Sequence, residues 1–419
     1  MLPLIQPSQT MVEVKNGIIT MRSGALNTLM VADRMFNNVV SAMSAYNVFG
    51  SMKLTNKGMF KITSFNTPEL QWMPKSKSCA FDPIRGVTTQ TEQHTPCEIE
   101  HQSQLCIDDL DNDCFGQFWQ YNEQGKIGVN GTFTPEVQAV LDMMAKVEAN
   151  GMSASLRALF SSASQYKGFD SQIVFKKGVD ADIKSRYEKS KNNCMGYPAL
   201  LFDLAKIGGN HHLDQSELFT DADCNGGVYT GSVEELIMKL RKSTKTGLQN
   251  AINQGGGINT ATGKKTTPVA IVSQPIYNKL IEEYEAQCHE VVTKMNCLTK
   301  EMMPVSFISG GATISDSIPI YKVHGLPVIC DAYINTLDAY TNATTFFACI
   351  TYSENIVIGT SFGQKGNIAN EQTIGLMVEF TPNRIKDGNM MYRQANALIS
   401  TAIADTNYIV AARRIEIEA

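Results

Sequence analysis

An α+β fold is what this sequence of 419 residues predicts, and three observations carry that expectation. Apolar residues recur at helical steps in the first half. The middle alternates helical and strand patterns without a regular βαβ series, and the tail holds a run of strict alternation.

Taken in order, residues 1–25 are mixed and weakly patterned, as in an arm that orders against a partner. Leu26, Leu29, Met30, Met35, Phe36, Val39, Val40 and Met43 then fall at three- and four-residue steps, which predicts a helix from Leu26 to Val48. Over residues 51–97 the periodicity is lost, and Pro68, Pro74, Pro83, Gly86 and Pro96 exclude long regular structure. A stretch of that length without a core pattern reads as a functional excursion, or as an arm that packs on a neighbour. The clearest helix starts at Thr134, a good N-cap, with Pro135 at the first helical position and Glu136 well placed against the helix dipole. Its stripe is Val137, Val140, Leu141, Met144 and Val147, and Asn150-Gly151 should kink it before Leu156, Leu159 and Phe160 resume. At 1.5 Å per residue it would run for about 40 Å.

Helical and strand patterns alternate from residue 194 onward. Val233, Leu236, Ile237 and Leu240 form one helical stripe, and Pro268 to Ser273 reads as a buried strand. Pro275 opens a helix carrying Ile276, Leu280, Ile281, Tyr284, Cys288 and Val291. Short strands are predicted over 318–323, 326–334, 346–351 and 355–358. In the tail, Ile374, Leu376, Val378 and Phe380 alternate as a half-buried strand does. Ala395, Leu398, Ile399, Ala402 and Ile403 predict a helix, and Tyr408 to Ala412 a last strand.

Composition narrows the function. Apolar residues make up 43% and charged residues 18%, under the ~25% usual for soluble domains, which tilts toward a surface covered by other chains. A net charge of −5 argues against a protein devoted to coating nucleic acid. Between Gly86 and Gly125 there are eight Asp or Glu residues and no Lys or Arg. Such a run is a solvated face or half of a complementary subunit contact, with a metal-binding concentration as the other reading. Lys176, Lys177, Lys184, Arg186, Lys189 and Lys191 alternate with Asp180, Asp182 and Glu188, which favours an exposed face over a nucleic-acid surface. The ten cysteines are scattered without a CxxC pair, as expected of small buried side chains in a reducing compartment. The opening Met1 to Pro7 lacks a positively charged leader region, and no apolar run approaches the ~20 residues that span a bilayer. The expectation is a soluble protein made in the cytoplasm.

Catalytic signatures are sparse. Neither a GxSxG elbow nor an HExxH zinc helix occurs, and none of the six histidines has a histidine four residues away on an expected helix. Gly255 to Thr266 resembles a phosphate loop superficially. However, five residues separate Gly257 from Gly263 and Lys265 stands where Ser or Thr is needed, so it reads as a mobile loop. Asp221, Asp223, Asn225 and Gly226 fit positions one, three, five and six of a calcium loop, and Val228 fits the eighth. Ser232 occupies the twelfth position, where a bidentate Glu belongs, so the competing reading is an Asp-rich turn without metal. Asp221, Asp223 and Asn225 are thus weak candidate cation ligands, and no catalytic residue or cofactor is expected.

The second half carries a family resemblance. Ile318-Pro319-Ile320-Tyr321-Lys322-Val323-His324-Gly325-Leu326-Pro327-Val328-Ile329 resembles the strand, glycine turn and strand late in the axial domain of tailed-bacteriophage major capsid proteins. Phe346 to Gly359 is similar to the next two strands of that family. Thr373 to Ala412, with Ala404-Asp405-Thr406-Asn407-Tyr408-Ile409-Val410, resembles its closing strand, helix and strand. This is the Hong Kong 97-type capsid fold, shared with encapsulin shells. The resemblance implies an N-terminal arm over 1–58 and an extended loop over 59–98. It further implies a peripheral domain over 99–192 with a long spine helix, an axial domain over 193–364, and the closing part of the peripheral domain over 365–419.

By that resemblance the chain would be a self-assembling, non-enzymatic subunit of an icosahedral or prolate shell enclosing double-stranded DNA. Its partners would be copies of itself in pentamers and hexamers. Scaffolding, portal and decoration proteins and non-specifically contacted DNA would complete the set, with no membrane. It would belong to the virion and assemble in the host bacterial cytoplasm. The arm and excursion, with Trp72, Phe60 and Phe65, would find cover on neighbouring subunits. The chain departs from some members in lacking a charged helical extension at its start, so any scaffold would be a separate protein. Two other readings stand beside it: an encapsulin-type nanocompartment shell, and a soluble α+β enzyme dependent on a cation at Asp221, Asp223 and Asn225.

Overall fold

The computed structural model describes residues 11–15, 18–22, 49–53, 60–66, 88–94, 97–106, 158–161, 174–190, 196–206, 218–244, 246–253, 257–258, 265–289, 298–309, 312–352, 354–360, 377–380 and 390–417. The helix expected from Leu26 to Val48 lies outside them, as does the kinked helix from Thr134 except for its last residues, of which 158–160 are helical. The chain divides into two compact units, one of Met1–Ala42, Cys97–Arg157 and Thr360–Ile399, the other of Met43–Pro96, Ala158–Gly359 and Ser400–Ala419. Helices and strands are mixed throughout the larger unit, as an α+β chain requires.

The larger unit is organised by a six-stranded sheet. Its strands are β1 (Pro268–Val272), β2 (Leu298–Ser309), β3 (Ala312–Val323), β4 (Leu326–Cys330), β5 (Ala343–Tyr352) and β6 (Ile409–Ile417), in the order β2-β3-β4-β1-β5-β6. Every residue of β1 is buried, and the strand runs parallel to β4 on one side and antiparallel to β5 on the other. A central strand covered on both faces has no polar side to show, which is why Pro268-Val269-Ala270-Ile271-Val272 is continuously apolar. Nine antiparallel pairs, from Ala343↔Ile417 to Thr351↔Ile409, join β5 to β6.

The helices of this unit are α1 (Ala181–Ser190), α2 (Tyr197–Lys206), α3 (Val233–Ser243), α4 (Thr246–Asn253) and α5 (Gln274–His289). Helix α3 is locally over-determined. Ser232 accepts a hydrogen bond from the Glu235 N–H, Glu234 and Glu235 occupy the first turn, and Arg241 and Lys242 the last. Its stripe of Val233, Leu236, Ile237 and Leu240 is the one the sequence predicts, and all four are buried. They share one apolar core with Ile276 and Leu280 of α5 and with Phe346, Ala348 and Ile350 of β5. Each such side chain removed from water contributes about 1.5–3 kcal/mol.

The strand Met390–Ile403, of which Met390–Ile399 belongs to the smaller unit, pairs antiparallel with Cys97–Cys106, from Met390↔Cys106 to Ile399↔Cys97, and with Met377–Phe380, from Met377↔Ala395 to Phe380↔Tyr392. This overturns the helix expected through Ala395 and Ile403. With a strand hydrogen-bonded on either side, ladder pairing outweighs the helical spacing of the apolar residues. A second correction concerns 326–334: the strand ends at Cys330, and Ala332–Asn335 is a 3-10 turn capped by Asp331, whose side chain accepts from the Tyr333 N–H. Also unforeseen was the hairpin of Met11–Lys15 with Ile18–Arg22, although Asn16-Gly17 between alternating apolar residues is the short-range signal for one. Within residues 51–97, Phe60–Asn66 and Thr88–His94 pair over seven residues as an antiparallel ribbon. Cys97 is disulfide-bonded, which corrects the expectation of reduced thiols for that residue. Spacing along a sequence does not reveal distance in space.

Candidate functional site

Strand patterns with polar residues at their ends decide what the sheet can do, because those residues fix its turns. The link between β3 and β4 is a two-residue turn of His324 (φ 48°) and Gly325 (φ 80°), the left-handed pair that matches strand twist in a tight hairpin. A histidine there carries a backbone cost that a glycine would not. Its ring Nε2 lies 2.7 Å from Glu234 Oε1, in the first turn of α3.

Asn355 joins two further turns. It is 1% exposed. Its Nδ2 donates to Thr351 Oγ1 (3.0 Å), to the Asp405 carbonyl (3.0 Å) and to the Tyr408 carbonyl (3.4 Å). Its Oδ1 accepts the Asp405 N–H at 2.8 Å, and its own carbonyl accepts the Ala404 N–H at 2.8 Å. One amide side chain therefore pins the turn after β5 to the turn before β6.

A third anchor follows β4, at the C-terminal ends of the parallel pair β1 and β4, the end where open α/β sheets hold ligands. Here protein groups fill it. Asp331, 1% exposed, accepts Ser161 Oγ (2.6 Å) and the Tyr197 hydroxyl (2.8 Å), and its N–H donates to the Val272 carbonyl at 2.9 Å. Asn335 donates to the Thr345 carbonyl (2.8 Å) and to Asp338 Oδ2 (2.5 Å), and accepts the Gln274 N–H at the start of α5 (3.0 Å). Asp338 also accepts the N–H (2.8 Å) and hydroxyl (3.2 Å) of Thr345. Burial raises the Asp338 carboxyl above the ordinary carboxylate range, against the pull of these donors. Cys330 donates to Gln274 Oε1 at 3.1 Å, and burial pushes its thiol up to about 12. A thiol held protonated is a poor nucleophile, so the chemistry of this cluster is that of a clamp.

The sequence-derived cation candidates sit on the far loop of the same unit. Asp221 is tied to Arg414 of β6, whose Nη1 also donates to the Phe219 carbonyl at 2.8 Å. Asp223 accepts the Thr220 N–H (3.1 Å) and hydroxyl (2.6 Å). Asn225 is exposed on a short hairpin where Cys224 pairs with Tyr229 and Asn225 with Val228 around Gly226 (φ 56°) and Gly227 (φ 78°). The two carboxylates thus serve the loop's own turn and its link to the sheet. Among the described residues no group of three or more His, Cys, Asp or Glu is arranged to hold a metal ion. Gly231 closes the loop: a Cβ there would stand 2.7 Å from both Asp223 Oδ1 and the Tyr229 hydroxyl.

Asn355, Asp331, Asn335 and Asp338 were not foreseen as anchors. Asp and Asn at strand ends signal turns. Which of them is buried, and against what, is a tertiary fact that no local pattern carries.

No protein-family model matches the chain, and no curated protein matches it. Among solved structures it is similar to a chain of the satellite phage P4 procapsid including size determination protein, at 8% identity over 91% of this chain and 97% of that one, with a TM-score of 0.49. A chain of Microbacterium phage Oxtober96 is similar at 11% identity over 96% and 94%, with a TM-score of 0.40. The virus-like particle from Pyrococcus furiosus is similar at 11% identity over 91% and 97%, with a TM-score of 0.39. At these values the likeness carries no functional weight. Among the described residues no helix is long and apolar enough to cross a membrane.

Proposed function

We propose that this chain is a self-assembling structural subunit of a tailed-bacteriophage capsid shell, acting through geometry rather than catalysis. One observation carries the proposal. The stretches whose sequence resembles that family, Ile318–Ile329, Phe346–Gly359 and the end of Thr373–Ala412, supply neighbouring parts of one sheet: β3 with β4, β5, and β6. The Asn355 in the second stretch is the residue that pins it to Asp405 in the third. Residues that looked alike only in order along the sequence therefore have a shared mechanical task. The low charge content supports the same reading, since faces between subunits need fewer solvated groups.

In this reading the axial domain is built on residues 193–364 and the peripheral domain on 99–192 with 365–419, except that β6, within the last stretch, completes the sheet of the larger unit. Copies meet in pentamers and hexamers, the ribbon within 59–98 lies on a neighbour, and DNA is held without sequence reading. Scaffolding and portal proteins are the further partners, and the virion is the location. Closed symmetry repeats each contact, so modest interfaces sum to a stable shell. An encapsulin-type shell is the second reading, because its resemblance rests on the same stretches.

The test is expression of the full chain alone, with negative-stain electron microscopy beside size-exclusion chromatography. Closed shells, five- or six-fold rings or tubes are the expected result. A monomer that stays monomeric at high concentration, with and without candidate scaffolding protein, overturns the proposal. Shells that retain a bound enzyme and no DNA would favour the encapsulin reading.

A further inference from the structure

Charge is sorted along this chain into two opposite blocks. Residues 236–281 hold seven Lys or Arg and no Asp or Glu, whereas Gly86 to Gly125 hold eight Asp or Glu and no Lys or Arg. With 41 acids in 419 residues, a stretch as long as the first block would hold about four or five at the chain's own frequency. Charged residues are only 18% of the sequence, so each block concentrates a scarce resource.

The fold gathers the cations of the first block. On α3, Lys239 and Lys242 are exposed and Arg241 is half-buried, off the buried stripe that ends at Leu240. Helix α4 lies across that end. Its Asn253 accepts from the Arg241 guanidinium, its Gln249 Nε2 donates to the Arg241 carbonyl at 3.4 Å, and its Leu248 is buried. Five residues after Asn253, Ile258 pairs with Lys265 in the short hairpin of Gly257-Ile258 with Lys265-Thr266. Five extended residues and one strand spacing reach at most about 23 Å, so Lys265 belongs to the same end of the unit. Lys279 stands apart, paired with Glu282 at 3.2 Å. The helix dipole accounts for Arg241 and Lys242 in the last turn of α3, and Glu235 lies one turn before Lys239. Neither accounts for the absence of every acid from 236 to 281.

We infer that the cationic surface at the end of α3 receives the acidic block of a second copy of this chain. The inference rests on the shell reading and names a contact that reading needs. Charge complementarity picks the occupant. The two blocks are opposite in sign and similar in size, and every copy carries one of each, so the ratio is right in any assembly of identical chains. Lys239 and Lys242 are exposed in the single subunit, so the surface is open to a neighbour. Contacts between unlike surfaces run head to tail and close into rings, which is how copies meet in pentamers and hexamers. The acidic block includes the strand Thr88–His94 with Glu92, half of the ribbon that the shell reading lays on a neighbour, and the strand Cys97–Cys106 with Glu98 and Glu100. A polyphosphate would account for the cationic block alone, whereas a second copy accounts for both.

The test uses the full chain in two charge-reversed variants. Lys239→Glu with Lys242→Glu reverses the receiving surface, and Glu98→Lys with Glu100→Lys reverses part of the acidic block. Circular dichroism and a thermal melt report folding, and sedimentation velocity with negative-stain microscopy reports assembly. Each folded variant alone should show an assembled fraction at least about tenfold below the parent's, because like charges then meet. A one-to-one mixture of the two should give complexes that hold both chains. A mixture without such complexes overturns the inference, as it must if the blocks pair within one chain. A K239E/K242E chain that assembles as the parent does also overturns it and leaves the shell reading standing. Loss of nucleic acid from those shells would identify a polyphosphate as the occupant. A parent that never assembles overturns both readings. Should either variant not fold, carbodiimide cross-linking of assembled parent, mixed from unlabelled and nitrogen-15-labelled subunits, decides. Lys239, Lys242 or Lys265 of one isotope should join to acids of the 86–125 block of the other, and joins within one isotope only, or none, overturn the inference.

Discussion

Replacing Asn355 by Ala tests whether one amide holds the sheet's last two strands in place. The side chain is 1% exposed and makes four hydrogen bonds, three as donor and one as acceptor. Its partners do not lose equally. The Tyr408 carbonyl still accepts Thr351 Oγ1, and the Asp405 carbonyl still accepts the Tyr408 N–H. The Asp405 N–H, on a residue 8% exposed, loses the 2.8 Å acceptor it uses. A buried donor stripped of its acceptor costs about 1–3 kcal/mol, and the void left by the amide adds about 1 kcal/mol, for roughly 2–4 kcal/mol in all. In a domain of 150–250 residues that lowers Tm by about 4–16 °C, at 2–4 °C per kcal/mol. Differential scanning calorimetry on the dissociated subunit reads it, with urea melts as a second measure. A shift under about 2 °C would refute the reasoning, because it would mean that the two turns hold their geometry without Asn355.

Three further outcomes are expected. Gly231→Ala drives a methyl group to 2.7 Å from Asp223 Oδ1 and the Tyr229 hydroxyl, and should cost about 1–3 kcal/mol in a urea melt. Burial raises the Glu283 carboxyl although it accepts the Val233 N–H at 2.9 Å, so the folded state holds its proton to higher pH than the unfolded chain does. Stability linked to this group is therefore greatest at low pH and falls as pH rises through and above the ordinary carboxylate range. Glu283→Gln should flatten that part of the stability-versus-pH curve, and an unchanged slope counts against the assignment. Burial pushes the Cys224 and Cys330 thiols up to about 12 and raises Cys349 as well, so none of the three should react with iodoacetamide at pH 8 within an hour unless the chain is unfolded. Labelling of the native protein at these positions, read by peptide mass spectrometry, would count against their burial.

Where local pattern and burial agree, the sequence was a sufficient guide. The stripe of α3, the all-apolar run of β1 and the helix opened by Pro275 follow from spacing and capping alone, and each appears where expected. Residues 395–403 show the limit. Their apolar positions satisfy a helical period, but the strands paired along Met390–Ile403 decide the conformation, and one of them, Cys97–Cys106, is remote in sequence. The ribbon of β2 and β3 was half seen, because Leu298 to Ser309 contains two adjacent methionines and a proline that obscure its alternation. For the site, the Asp221 loop was legible as a turn. Its carboxylates' partners, Thr220 and Arg414, were not, since Arg414 lies 193 residues away.

The route of the chain through the sheet also bears on how the subunit comes to be made. Strand β5 ends at Tyr352, and its outer neighbour β6 does not begin until Ile409. Between them, residues 360–399 belong to the other compact unit. During synthesis the open edge of β5 therefore waits while some forty residues emerge and find their place elsewhere. An apolar strand with a free edge is a template for pairing with the wrong chain, and long-range closures of this kind are slow. The delay is a window in which crowded nascent subunits can join incorrectly. A chaperone or a low rate of synthesis would be expected to raise the yield of sound subunits, independently of how stable the finished sheet is.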